Sequence, residues 1–120
     1  MRDRREYSRI NKEIECTVYN NGNEYTGVIE NISNNGVGVT IDCKLDDIVD
    51  DEIIEIVFCD SLNWNKESYY ICIATVLIRK SEISNNKIFI GVKTRNNLEN
   101  EKRFQKYVDD LKVEAMFNKI

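Results

Sequence analysis

Apolar residues recur at every second position through most of this chain. Ile14, Cys16 and Val18 alternate with Glu13, Glu15 and Thr17, which predicts a strand with one buried face. The turn signal Asn20-Asn21-Gly22-Asn23 comes next. A second strand is expected over 24–33 (EYTGVIENIS). Val37, Val39, Ile41 and Cys43 share the parity of a third strand, and Ile54, Ile56 and Phe58 that of a fourth, with Glu52 and Glu55 facing solvent. Residues 68–80 (SYYICIATVLIRK) are apolar on both parities at their centre, which predicts a strand covered on both faces. Beyond the turn Ser84-Asn85-Asn86, a sixth strand is expected over 87–94 (KIFIGVKT).

The period then changes. Phe104, Tyr107, Val108 and Leu111 fall at i, i+3, i+4 and i+7, one face of a helix running over 98–117. Asn96 or Asn97 is placed to cap it, and Glu99 and Glu101 stand in its first turn, where carboxylates suit the helix dipole. Short strands followed by one helix predict a mainly β fold, a small antiparallel barrel or sandwich with a helix docked on it. The length of 120 residues fits one domain, read as an N-terminal arm (1–12), a strand region (13–95) and a C-terminal helix (96–118). Met116 and Phe117 continue the apolar pattern at the helix end and are expected to pack.

Charge changes the picture at one place. Lys and Arg total 17 against 21 Asp and Glu, a net charge of -4, yet Arg2, Arg4, Arg5 and Arg9 crowd the first nine residues without a lysine. Arginine is the cation whose planar fork matches phosphates and the edge of guanine. A basic arm often serves nucleic acid, but "KLDDIVDDE" (44–52) is strongly acidic and no basic stripe follows the strands, so nucleic acid is not the expected partner. The chain has no histidine, no Gly-rich phosphate loop opening a helix and no carboxylate pair that stands out, which argues against an enzyme. Cys16, Cys43, Cys59 and Cys72 form no C-x-x-C pair and read as buried small hydrophobes rather than zinc ligands, and neither metal nor cofactor is expected. Without an apolar signal segment or spanning run, the expected location is the cytoplasm, with no membrane insertion. Trp64, in the polar loop "DSLNWNKES", is either a partner contact or a ring folded back on its own fold.

A second stretch joins strands two and three. "ENISNNGVGVT" (30–40) is good hairpin chemistry, in which Asn35 and Gly36 can take positive φ. Asn31 and Ser33 need another account. They share one parity at a strand end, flank Ile32, and form a small polar site beside a glycine.

Arg5-Glu-Tyr-Ser-Arg9 is an R-x-x-x-R motif and Asn31-Ile-Ser33-Asn-Asn-Gly36 an [DN]-x-S-x-x-G motif. In this order and separation they resemble the two signatures of the PilZ domain, a family of bacterial receptors for cyclic di-GMP. "FIGVKT" (89–94) resembles the family's late strand, with Thr94 where an aromatic is common, a departure expected to affect packing more than binding. The resemblance implies a six-stranded antiparallel β-barrel with a C-terminal α-helix. It implies that Arg5 and Arg9 contact guanine edge and phosphate, that Asn31 and Ser33 contact base, and that Gly36 shapes the turn and keeps the ligand's approach open. Arg4 adds a cation, which in the family accompanies a stacked ligand pair, so two molecules per domain are favoured over one. Asn31 in place of aspartate still accepts from guanine N–H groups, without a full charge. Residues 1–9 lack apolar spacing to hold them down, so a mobile arm is expected that folds over the barrel on binding. That movement would regulate a protein partner in motility, biofilm or exopolysaccharide output. The alternatives are a ligand-independent PilZ-like adaptor and a small β-barrel binding single-stranded nucleic acid.

Overall fold

The computed structural model describes residues 9–95 and 98–117. Six strands are present: β1 (Ile10–Asn20), β2 (Asn23–Ser33), β3 (Gly36–Ile41), β4 (Ile54–Ser61), β5 (Ser68–Ser84) and β6 (Lys87–Thr94). They pair antiparallel in the order β1-β2-β3-β6-β5-β4, and β4 pairs back onto β1, so the sheet closes into a ring. Closure leaves no strand edge to template aggregation. The helix α1 (Leu98–Phe117) follows, with Glu99 and Glu101 in its first turn. The cap positions Asn96 and Asn97 lie outside the described residues.

The period-two faces all point into the ring. Ile14, Cys16 and Val18 of β1 meet Ile29 and Ile32 of β2, Val37, Val39 and Ile41 of β3, and Ile54, Ile56 and Phe58 of β4 in one buried cluster. The helix lies across the end of the ring that holds the β2–β3 turn and the β4–β5 loop. Its Phe104, Tyr107 and Val108 are fully buried, as their spacing predicted. The Tyr107 ring meets Phe58 and Tyr69 edge-on, with centroids 5.5 and 5.2 Å apart, a geometry favoured by the ring quadrupoles. Its hydroxyl donates to Asp60 (2.7 Å), and burial together with that carboxylate pushes the phenol's pKa upward. The Tyr69 hydroxyl donates to the Asp110 carboxylate (2.6 Å). Hydrogen bonds from Lys106 and then Tyr69 hold the Asp110 carboxyl below its ordinary range.

Several expectations need correction. The outer face of β5 is not covered: Tyr70 and Ile78 are 64% and 63% exposed, and Ile83 is exposed as well. The helix packs over the end of the ring rather than over this face, so apolar residues of both parities do not imply two covers here. Cys16 and Cys43 are buried, and burial pushes their thiols up to about 12 and about 11, but Cys59 is exposed and Cys72 half-buried. Met116 and Phe117 are exposed because the helix has passed the ring's end by that point. Trp64 is folded back: its indole N–H donates to the Asp110 carbonyl (2.8 Å) and its ring tilts against Phe117.

The acidic segment after β3 sits at the other end of the ring, beside the β5–β6 turn. There Lys80 donates to the carbonyls of Leu45 (3.0 Å) and Ile48 (3.2 Å) and pairs with Asp50 (2.6 Å). Repulsion from these carboxylates is therefore kept away from the β2–β3 turn.

Candidate ligand-binding site

Asn31 and Ser33 point outward at the end of β2, while Ile32 between them is fully buried. A bulge between Ile29 and Asn31 leaves Asn31 opposite Gly38, and Ser33 opposite Gly36. Both polar side chains line a cavity of about 180 Å³ on the outer wall of β2, β3, β6 and β5. Arg9, the first described residue, lines the same cavity, as does Gly36. The structure thus brings four of the expected site residues together. Arg4 and Arg5 lie outside the described residues.

The turn beneath the site is tied down from two sides. Thr94 of β6 donates its N–H to the Asn35 carbonyl (2.8 Å), and its hydroxyl reaches the same oxygen (3.3 Å). Asn34 donates to Gln105 of α1 (2.9 Å), and Gln105 and Lys112 donate back to the Asn34 carbonyl and side-chain oxygen. The Ser33 hydroxyl lies 3.3 Å from both the Asn35 side-chain oxygen and the Gly36 carbonyl. Those are long contacts, so the hydroxyl is only loosely engaged within the protein and can turn towards a ligand.

Gly36 does not take the positive φ that the turn chemistry allowed. Among the described residues only Asn21, Lys66 and Gly22 have positive φ, so neither Asn35 nor Gly36 is left-handed. Gly36 is already in β3, paired with Lys93 of β6. A Cβ there would run into the Val92 carbonyl oxygen. The missing side chain serves close strand approach rather than a left-handed turn conformation, at a position that also lines the cavity.

Sequence reasoning missed the opposite half of the cavity. Gly38 pairs with Gly91, and Gly91 with Arg79, so Asn31, Gly38, Gly91 and Arg79 form one row across four strands. Each glycine is a seat. The Asn31 amide nitrogen lies 2.8 Å, and Phe89 Cζ 2.7 Å, from where a Cβ on Gly38 would stand. The Arg79 stem lies across Gly91, its Cγ 3.3 Å from the corresponding point. The Arg79 guanidinium sits over the Phe89 ring, 5.5 Å from its centroid. Arg79, Phe89 and Lys93 all line the cavity. The outward-parity glycines in "GVGVT" and "FIGVKT" were the available signal, but only the register pairs them. Arg79 was hidden because a bulge between Leu77 and Arg79 changes which residues of β5 face outward.

The cavity's charge is distinctive. Arg9, Arg79 and Lys93 line it and, among the described residues, no carboxylate does, in a chain of net charge -4. The depression between β1 and β4, by contrast, is lined by Glu13, Glu15 and Asp60. A site with three cations, two hydrogen-bonding side chains and an aromatic ring suits an anionic ligand with a planar base. Among the described residues no group of three or more acidic, Cys or His side chains is arranged to hold a metal ion, and no helix is long and apolar enough to cross a membrane.

A family model of the PilZ domain matches residues 3–110, a span that includes both motifs. The chain belongs to the PilZ domain family. No curated protein sequence matches it. Solved structures with the same fold do. The Bacillus subtilis inhibitor of motility MotI/DgrA superposes with a TM-score of 0.65 at 16% identity, covering 92% of this chain and 52% of that one. MrkH of K. pneumonia in its apo state gives 0.59 at 19% identity, covering 98% and 55%. The PilZ domain of CeSA from a cellulose-synthesizing bacterium gives 0.55 at 20% identity, covering 88% and 98%. This PilZ chain therefore spans about half the length of MotI and of MrkH, and nearly all of the CeSA domain.

Proposed function

We propose that this PilZ domain is a non-catalytic receptor for cyclic di-GMP. The observation that carries the reading is the cavity around Asn31 and Ser33, lined among the described residues by three cations and no carboxylate, on an otherwise acidic chain. Cyclic di-GMP offers two phosphates, which want cationic donors, and two guanines, whose N7 and O6 match an arginine fork. Arg9 takes a phosphate or guanine edge. Asn31 and Ser33 take polar edges of a base. The cavity of about 180 Å³ is smaller than the ~300–1,000 Å³ that enclose a whole small ligand, so the wall holds part of the dinucleotide. Arg4 and Arg5, by their place in the motif, supply the remaining contacts from the preceding arm, and Arg4 favours two ligand molecules.

Closure of the arm over the ring is the proposed signal. It changes the surface offered to a protein partner, at the cost of ordering the segment. MotI is described as an inhibitor of motility, and CeSA comes from a cellulose-synthesizing bacterium. Motility and exopolysaccharide output are accordingly the processes proposed for this receptor, acting in the cytoplasm.

Isothermal titration of the purified protein with cyclic di-GMP tests the reading, with GTP and a short oligonucleotide as controls. Micromolar or tighter binding, about −8 kcal/mol, is expected for the cyclic dinucleotide alone. Arg9→Ala is expected to cost about 1.5–3 kcal/mol, the range of a lost charge-assisted hydrogen bond. A folded protein that gives no heat with any ligand would replace the receptor with a ligand-independent adaptor. Oligonucleotide binding instead would favour the single-stranded nucleic acid reading.

A further inference from the structure

The cavity has two jaws, and only one of them belongs to the recognised motifs. We infer that Arg79 is the second jaw: a planar cationic platform that grips the face or edge of a ligand base opposite Asn31. This deepens the receptor reading and rests on it.

The platform is built on the row Asn31–Gly38–Gly91–Arg79. Two glycines paired across β3 and β6 remove both outward side chains from the centre of the wall. The flanking residues then lie down into the gap from either side, the Asn31 amide over Gly38 and the Arg79 stem over Gly91. Arg79 is exposed, and an exposed arginine on a sheet is normally free to sample many rotamers. Here its guanidinium has a seat on the Phe89 ring, and its stem lies close across Gly91, where a side chain would push it outward. A guanidinium held flat loses less entropy when it stacks on a purine or forks onto its edge. Among the described residues Arg79 makes no ion pair with a carboxylate.

Lysine carries the same charge without the plane, which separates a platform from general electrostatic attraction. Titrating cyclic di-GMP into Arg79→Ala, Arg79→Lys and Phe89→Leu, with Lys87→Ala on the distant β5–β6 hairpin as the charge control, reads the difference. Arg79→Ala is expected to weaken binding by about tenfold or more, with Arg79→Lys recovering little of it. Phe89→Leu keeps an apolar seat but loses the cation–π contact, and is expected to weaken binding by about threefold. Lys87→Ala is expected to stay within about twofold of the unmodified protein. Arg79 is exposed on the outer wall, so its variants should keep the circular dichroism and melting temperature of the parent. The inference falls alone if the parent binds and Arg79→Ala binds within about twofold of it. Full recovery in Arg79→Lys would also overturn it, leaving a simple charge. A parent that does not bind would overturn the receptor reading and the inference together.

Discussion

The tripeptide Asn-Asn-Gly occurs twice between paired strands, at 20–22 and at 34–36. In the first copy the turn residues are Asn21 and Gly22, at φ 51 and 78, and Asn20 pairs with Asn23. That is the two-residue hairpin in which both turn residues take positive φ, as Asn-Gly readily does, and whose twist matches that of the flanking strands. In the second copy everything is moved by one residue. The turn residues are Asn34 and Asn35, neither left-handed, and Gly36 is already in the strand opposite Ser33. The surroundings account for the shift. Gly36 lies against the Val92 carbonyl, where no side chain fits, and Asn34 is fastened to Gln105 and Lys112 of α1. A glycine can be needed for its φ or for its missing Cβ, and the same three letters serve one need at each site.

The asparagines differ as well. Asn20 is 2% exposed and ties the β3–β4 connection to the ring. It accepts from the Val49 N–H (2.8 Å) and donates towards the carbonyls of Val49 (3.2 Å) and Ile53 (3.4 Å). Asn34 makes its bonds at the half-buried rim beneath the helix. The first turn therefore supports the acidic end of the ring, and the second supports the candidate site.

Substitutions can break this contrast. The largest effect is expected for Gly36→Ala, whose new methyl would meet a backbone carbonyl that can move only with β6. A loss of about 3 kcal/mol in urea unfolding is expected, the upper range for overpacking. A loss no larger than that of Gly22→Ala would show that close approach is not what selects this glycine. Asn20→Ala should come next, at about 2 kcal/mol, because it takes a buried side chain's three hydrogen bonds from the part-buried backbone of Val49 and Ile53. Asn34→Ala should cost about 1 kcal/mol, since water can reach Gln105 and Lys112 once they are released. Gly22→Ala should be the mildest, at about 1 kcal/mol or less, because nothing lies within 4 Å of its Cβ and only the positive φ is strained. Gly22→Asn should soften even that loss, whereas Gly36→Asn should be at least as damaging as Gly36→Ala. In ligand titrations the same contrast sharpens further: Ser33→Ala beside the second turn should weaken cyclic di-GMP binding more than Ser8→Ala in the arm. Equal effects would separate the site from the β2–β3 turn.

Much of the fold was legible because strand and helix periods are local. Ile14, Cys16 and Val18, or Phe104, Tyr107 and Val108, announce their buried faces through spacing alone. The motif half of the site was legible for the same reason: Asn31 and Ser33 straddle Ile32, and their shared face follows from strand geometry. Where the reading failed, a non-local fact had intervened. Tyr70 and Ile78 are exposed because α1 meets β5 at the ring's end, around Tyr69, and leaves the rest of its outer face uncovered, which no pattern within β5 could state.

Local sequence sufficed for the six strands, the helix and the side from which Asn31 and Ser33 face out, since backbone stereochemistry and hydrophobic period act over a few residues, whereas the exact turn residues of the two Asn-Asn-Gly copies depended on their surroundings. Tertiary structure alone decided the cross-strand register that faces Gly38 with Gly91, the bulge that turns Arg79 outward, and the contact that makes Gly36 indispensable as a strand residue. Register is set by closing the whole ring around one core, and residues far apart in the chain meet only once that closure has fixed every strand against its neighbours.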